Sequence, residues 1–436
     1  MMLALSPPFH LVLAPMGAAP PMLKILFQPG VLWITLAAGS ILAITMGARQ
    51  SMGLFLGPMN TDTGLGIATL SLAMAVGQFV WGAVQPVAGA VADRWGPRPV
   101  LIGGIVVMAL GTALTPFASS GVAMIFTLGV LTTLGSGSSS FSVLLGAAAQ
   151  RLSPQARGAA SGVINAGGSF GQFVFAPITQ KLIQTFGWMG AMWSLAALTL
   201  AALPLVGALT RGTHAPSPAA NAATDSSPSA AAPAGGVMAA VRQAMADRSY
   251  LLLHAGFFTC GFHVAFLVTH LPTEVNLCGL PASVASWSLG IIGLANIAGS
   301  LYAGSCVTRY RSKYILSAMY ASRAVAVIVY LLAPKTEWTF YLFAVVLGFT
   351  WLATVPPTAA IVGKLFGVRY LATLFGLTLL SHQIGGFLGA YLGGLSITAF
   401  GDYHWMWWAD IVLAAGAALV NLPIREERVA AANAAS

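Results

Sequence analysis

The chain has 436 residues, of which 57% are hydrophobic and only 7% charged, with 19 Lys and Arg against 10 Asp and Glu and a net charge of +9. Soluble domains carry roughly 25% charged residues, so this composition excludes one. The basic excess is spread thinly along the chain, as membrane orientation requires, which removes the case for a nucleic-acid partner. Cys260, Cys278 and Cys306 are too few for a disulfide framework, and no metal-ligand spacing occurs.

Residues 1–29 are Pro-rich and lack a basic stretch before their apolar run. They read as a tail, not a signal peptide, with Met22 as a second candidate start. Six apolar runs follow, near 31–58, 68–92, 99–119, 121–149, 157–184 and 189–209. Each approaches the ~20 residues that cross a bilayer as a helix. Residues 211–249 interrupt the series. Pro216 to Gly236 is rich in Ala, Ser and Pro and predicts a flexible cytoplasmic linker. Val237 to Arg248 has the make-up of a short helix on the membrane face. Six further runs lie near 250–275, 282–307, 313–333, 337–362, 371–397 and 404–424. The predicted fold is an all-α membrane protein of twelve transmembrane helices. A 30–210 bundle and a 250–425 bundle are joined by the linker, with a tail over 426–436.

The gaps between runs alternate in charge. Basic residues from Arg94 and Arg98 to Arg425 and Arg428 fall on one side, whereas the other has only Lys181 and Lys335 among its acidic residues. Basic loops stay inside, so both termini are predicted to be cytoplasmic in a multi-pass protein of the inner (plasma) membrane. Shifting the first six runs by 214 positions places Pro58 on Pro272, Gly162 on Gly376 and Gly171 on Gly385. Two pseudo-symmetric six-helix halves of parallel topology follow. Such halves rock about a midplane site in alternating-access transporters.

The gap after the second run reads Gly89-Ala90-Val91-Ala92-Asp93-Arg94-Trp95-Gly96-Pro97-Arg98. It resembles the G-x-x-x-D-R-x-G-R-R loop of the major facilitator superfamily. A partial copy without the Asp, Gly304 to Arg311, follows the eighth run. The resemblance implies that runs 1, 4, 7 and 10 line a cavity. It also implies that Asp93, Arg94, Arg98 and Gly89 form a latch on the cytoplasmic side; the alternative is that these charges only set orientation. Two segments are similar to monocarboxylate transporters and their oxalate/formate relatives. They are Arg157 to Gly162 with Ala166 to Gly171, and Ser381-His382-Gln383-Ile384-Gly385-Gly386-Phe387-Leu388-Gly389. The eighth run departs from animal members of that group in holding no charge, so the anion-binding cation is sought elsewhere.

Arg49 and Arg323 are the two basic residues inside apolar runs, and intramembrane charge marks function by default. Arg49, beside Gln50, lies nine residues before Pro58, and His263 lies nine before Pro272, at the equivalent depth of the other half. Arg offers a fork of donors that suits a carboxylate. Arg323 has two readings: substrate contact, or a structural pair with Asp410, the one carboxylate well inside a run. His382, Gln383 and Trp351 complete the candidate substrate contacts, with His263 and His382 as candidate proton carriers. No nucleotide motif or catalytic cluster is visible, so an enzyme is not expected, and neither is a cofactor. The reading is a secondary transporter of small organic anions, monocarboxylates first, with protons and the lipid bilayer as partners. Two alternatives stay open: a carrier of a neutral or aromatic metabolite with structural arginines, and a non-transporting membrane sensor.

Overall fold

The computed structural model describes residues 28–211, 236–307, 309–367 and 371–426. Among them the first half holds α1 (Pro29–Thr63), α2 (Ile67–Trp95), α3 (Pro97–Phe117) and α4 (Gly121–Ala149). The helix Pro154–Leu200 bends at Gly187, whose φ of 70° no other residue type adopts readily, and so divides into α5 (154–186) and α6 (188–210). The second half holds α7 (Arg248–Leu277), α8 (Ala282–Val307), α9 (Ser312–Leu332), α10 (Glu337–Phe366), α11 (Leu371–Phe400) and α12 (His404–Asn421). A short helix, Gly236–Ala246, precedes α7.

The boundaries have local causes. Gly96, at φ 86°, turns the chain out of α2, and Pro97 opens α3 where its missing N–H costs nothing. Ser120, Asp247 and Thr336 cap α4, α7 and α10 through side-chain oxygens that accept from Ala123, Tyr250 and Thr339 N–H groups.

Two interior helices are broken, and the breaks are related by the repeat. α4 contains a π-helical turn over Ile125–Leu131 and is interrupted at Ser139 and Ser140. α10 is interrupted at Trp351 to Thr354, before Pro356 and Pro357. The shift of 214 carries Ser139 onto Ala353. Continuous helices were expected over 121–149 and 337–362. Prolines cannot donate to the preceding turn, and serines compete for backbone groups, so both runs part at their middles.

The halves meet along α2 with α11 and along α5 with α8. The contact is close only toward the end away from the basic loops. Ser71 lies against Gly394, Gln78 against Gly386 and Gln383 against Gly82. Two turns further along, a Cβ built on Gly89 or on Gly376 meets nothing within 4 Å. The second seam behaves alike. A Cβ on Gly293 would lie 2.6 Å from the Ser169 carbonyl oxygen, whereas Gly162 and Gly304, nearer the basic end, face open space. At the far end α1 crosses α7, and a Cβ on Gly53 would collide with the Val268 carbonyl oxygen. The bundle is sealed at one end and splayed at the basic end. Replacing Gly53 by Leu should therefore prise the seal. Thiol labelling of a Thr269→Cys reporter is expected to rise in the Gly53→Leu background, above that of the native cysteines. Unchanged labelling would mean that the seal rests elsewhere.

Candidate functional site

Arg49 occupies the last turn of the first helical stretch of α1, just before the backbone tightens into a 3-10 turn over Met52–Phe55. Its guanidinium donates to Gln78 Oε1 and lies 4.4 Å from the Trp81 ring centroid, both on α2. A helix carbonyl end and an aromatic face each favour a cation, at about 1 kcal/mol or less apiece. Neither supplies a full negative charge. Among the described residues no carboxylate lies within ion-pair reach of Arg49. The Trp81 indole N–H beside it is buried without a partner.

Arg49 opens onto a cavity of about 40 Å³ at the junction of the halves. Gln78, Thr132 and Thr133 line it from the first half, and Val268 and Thr269 from the second. The π-turn of α4 brings the threonines there. Thr132 Oγ1 donates five residues back to the Thr127 carbonyl at 2.9 Å, a reach only the widened turn allows. Gln50 turns away from this cavity and donates to Gln172 Oε1 of α5 at 3.0 Å.

Arg323 does not make the pair with Asp410 that was one of its two readings; the α10 break holds it instead. The broken α10 leaves carbonyls without partners, and the guanidinium fills them. Nη2 donates to the Trp351 carbonyl at 2.7 Å and to that of Thr350, while Nε reaches Thr350 Oγ1 at 3.3 Å and Nη1 the Cys260 sulfur at 3.3 Å. Only 1% of the Arg323 surface is exposed in this arrangement. Asp410 does not pair with it. Asp410 Oδ2 takes the Nδ1 of His263, at 2.5 Å. His263 thus faces the peripheral α12 and not the cavity that Arg49 lines, although the two residues sit at equivalent depths. Trp351 lies in the α10 break, fully buried, with its ring 6.1 Å from that of His263. Asp410→Ala would leave an imidazole buried without its partner. We expect a loss of about 3 kcal/mol in stability, read as a lower unfolding midpoint in detergent; an unchanged midpoint would mean that the pair is energetically idle.

His382 and Gln383 lie on α11 where it meets α2. Gln383 packs on Gly82, its amide approaches His382 Nδ1 at 3.4 Å, and His382 Nε2 is buried without a partner. The residues expected to form the latch lie at the splayed end. Arg94 lies over the Trp95 ring at 5.6 Å, Arg98 is exposed, and Gly89 faces open space. The side chain of Asp93 lies outside the described residues. The sequence reading missed Trp81 beside Arg49 and the threonines that line the same cavity, Thr132, Thr133 and Thr269. The serine and threonine content of the fourth run was the available signal.

The family model described as Major Facilitator Superfamily matches residues 38–389 and 278–435. Monocarboxylate transporter 13 of Rattus norvegicus is 27% identical over 391 residues, covering 87% of this chain and 86% of the rat protein. The oxalate:formate antiporter of Oxalobacter formigenes is 24% identical over 368 residues, covering 83% of this chain and 84% of its own. Among solved structures, a D-xylose-proton symporter superposes with a TM-score of 0.69 at 13% identity, over 91% of this chain and 98% of the symporter.

Proposed function

This chain belongs to the major facilitator superfamily, and within it we propose a secondary transporter of small organic anions, monocarboxylates first, working by alternating access. One observation carries the reading: Arg49 is a cation at the junction of the halves with no carboxylate in reach among the described residues. Arg49 is partly withdrawn from water, and an uncompensated charge in such a place is costly. An anionic passenger would remove that cost, with the fork of Arg49 on its carboxylate and the threonines of α4 at its flanks. The small cavity favours a short carboxylate. The names of the rat and bacterial relatives point the same way.

The splayed basic end is the cytoplasmic one in this reading, by the charge rule, so both termini lie inside the plasma membrane. Arg94 and Arg98 would close that end, with Asp93, when the halves rock. Protons move with the anion. His263, paired with Asp410, His382 and the passenger carboxylate itself are the candidate carriers. Uptake into proteoliposomes tests the proposal, with labelled short monocarboxylates set against their uncharged amides, with and without a pH gradient. Carboxylates should enter, faster with the acidic side outside, and amides should not. An amide entering as fast as its acid would refute the anion assignment.

A further inference from the structure

A groove of about 480 Å³ lies between α7, α11 and α12, well apart from the Arg49 cavity. Its floor is Ala255, Phe258 and Thr259 of α7; Ile384 forms one wall, and Val412 with Gly416 the other. Ile384 is 44% exposed and Val412 67%, so in a bilayer the groove opens to lipid. It is not wholly apolar. His254 Nδ1 meets Ser381 Oγ at 2.5 Å, and His254 Nε2 is buried without a partner. A Ser381 hydroxyl donating to Nδ1 leaves the proton on Nε2, a donor just beneath the groove lining that a small turn of the ring would present to a ligand.

The chain ends beside the groove carry cations. Arg248 is exposed and lies seven residues before Ala255, on the same stripe of α7. The chain leaving α12 passes beside it, because Arg425 N–H donates to Ser249 Oγ at 3.0 Å, and Arg425 is exposed too. His254 is six residues, about 9 Å, deeper along the helix. From those ends inward the order is cations, then a hydrogen-bond donor, then an apolar channel. A phospholipid with an anionic headgroup has the complementary order of phosphate, ester carbonyl and acyl chain.

We propose that this groove binds one anionic diacyl phospholipid from the leaflet at the basic end. Its phosphate would sit at Arg248 and Arg425, an ester carbonyl at His254 Nε2, and a chain along α12 past Gly416. The test is native mass spectrometry of the detergent-purified chain, incubated with phosphatidylglycerol or with phosphatidylcholine. Wild type should retain phosphatidylglycerol preferentially. Gly416→Leu should retain one fewer; Gly416 lines the groove and a Cβ there meets nothing within 4 Å, so the added side chain starts into groove space. Arg248→Gln should weaken retention about fivefold, the worth of one basic residue beside an anionic leaflet. Equal retention of phosphatidylcholine, or no change in either variant, would overturn the proposal.

Discussion

Arg49→Gln is expected to weaken binding of a short monocarboxylate by more than about 100-fold, the ~3 kcal/mol that truncating one partner of a buried ion pair costs. The same variant should leave the unfolding midpoint of the empty protein unchanged or raise it. Arg49 has no anionic partner in the described protein, so removing its charge removes an unpaid desolvation term and breaks only a hydrogen bond to Gln78 and a ring contact with Trp81. Arg49→Lys keeps the charge but loses the two-pronged geometry and should fall between the two. The combination separates a binding cation from a structural one. A lower midpoint with affinity intact would make Arg49 a scaffold residue. Binding is measured by titration calorimetry and stability by thermal unfolding in detergent.

Arg323→Met should do the reverse. The thioether approximates the length of the side chain but offers no donor, so the carbonyls of Thr350 and Trp351 lose theirs. Each orphaned buried acceptor costs about 1–3 kcal/mol, and a total near 3–5 kcal/mol places this among the most damaging single changes in the chain. The broken α10 should lose its defined geometry first. A sharply lower unfolding midpoint, or loss of folded material, is the expected result. A variant with wild-type stability but no affinity would return Arg323 to the substrate site.

The different surroundings of the two arginines could not be read from sequence, where Arg49 and Arg323 looked alike as lone cations in apolar runs. Hydropathy and loop charge carry a residue's depth in the membrane, which is a one-dimensional coordinate. They placed α1 to α12 within a few residues and put Arg49 and His263 at equivalent levels. The direction a side chain takes around its helix is set by neighbours distant in the chain. The two-half repeat therefore predicted matching depths but not that His263 would turn to Asp410 on α12 while Arg49 turned to Gln78 and Trp81. Asp410 was matched to Arg323 on depth alone, and azimuth decided otherwise. The breaks in α4 and α10 were partly legible, since Pro356 and Pro357 and the serines from Ser136 to Ser140 were in plain view. Their consequence was not: a break frees carbonyls, and a buried guanidinium is one of the few groups able to satisfy several at once.

If the proposed alternating access holds, it also ties Arg49 to the seal between Gly53 and Val268, since both border the same cavity. An anion drawn to Arg49 would lie beside the contact that must open for the passenger to cross. Binding and gating would then share one small group of side chains from both halves, Thr269 among them.

The most direct measurement is a calorimetric titration of the purified protein with a short monocarboxylate and, separately, with its uncharged amide. Saturable binding of the acid alone, lost in Arg49→Gln, is the predicted result. Equal binding of acid and amide, or acid binding that survives Arg49→Gln, would contradict the assignment of Arg49 as the cation that receives an anionic passenger.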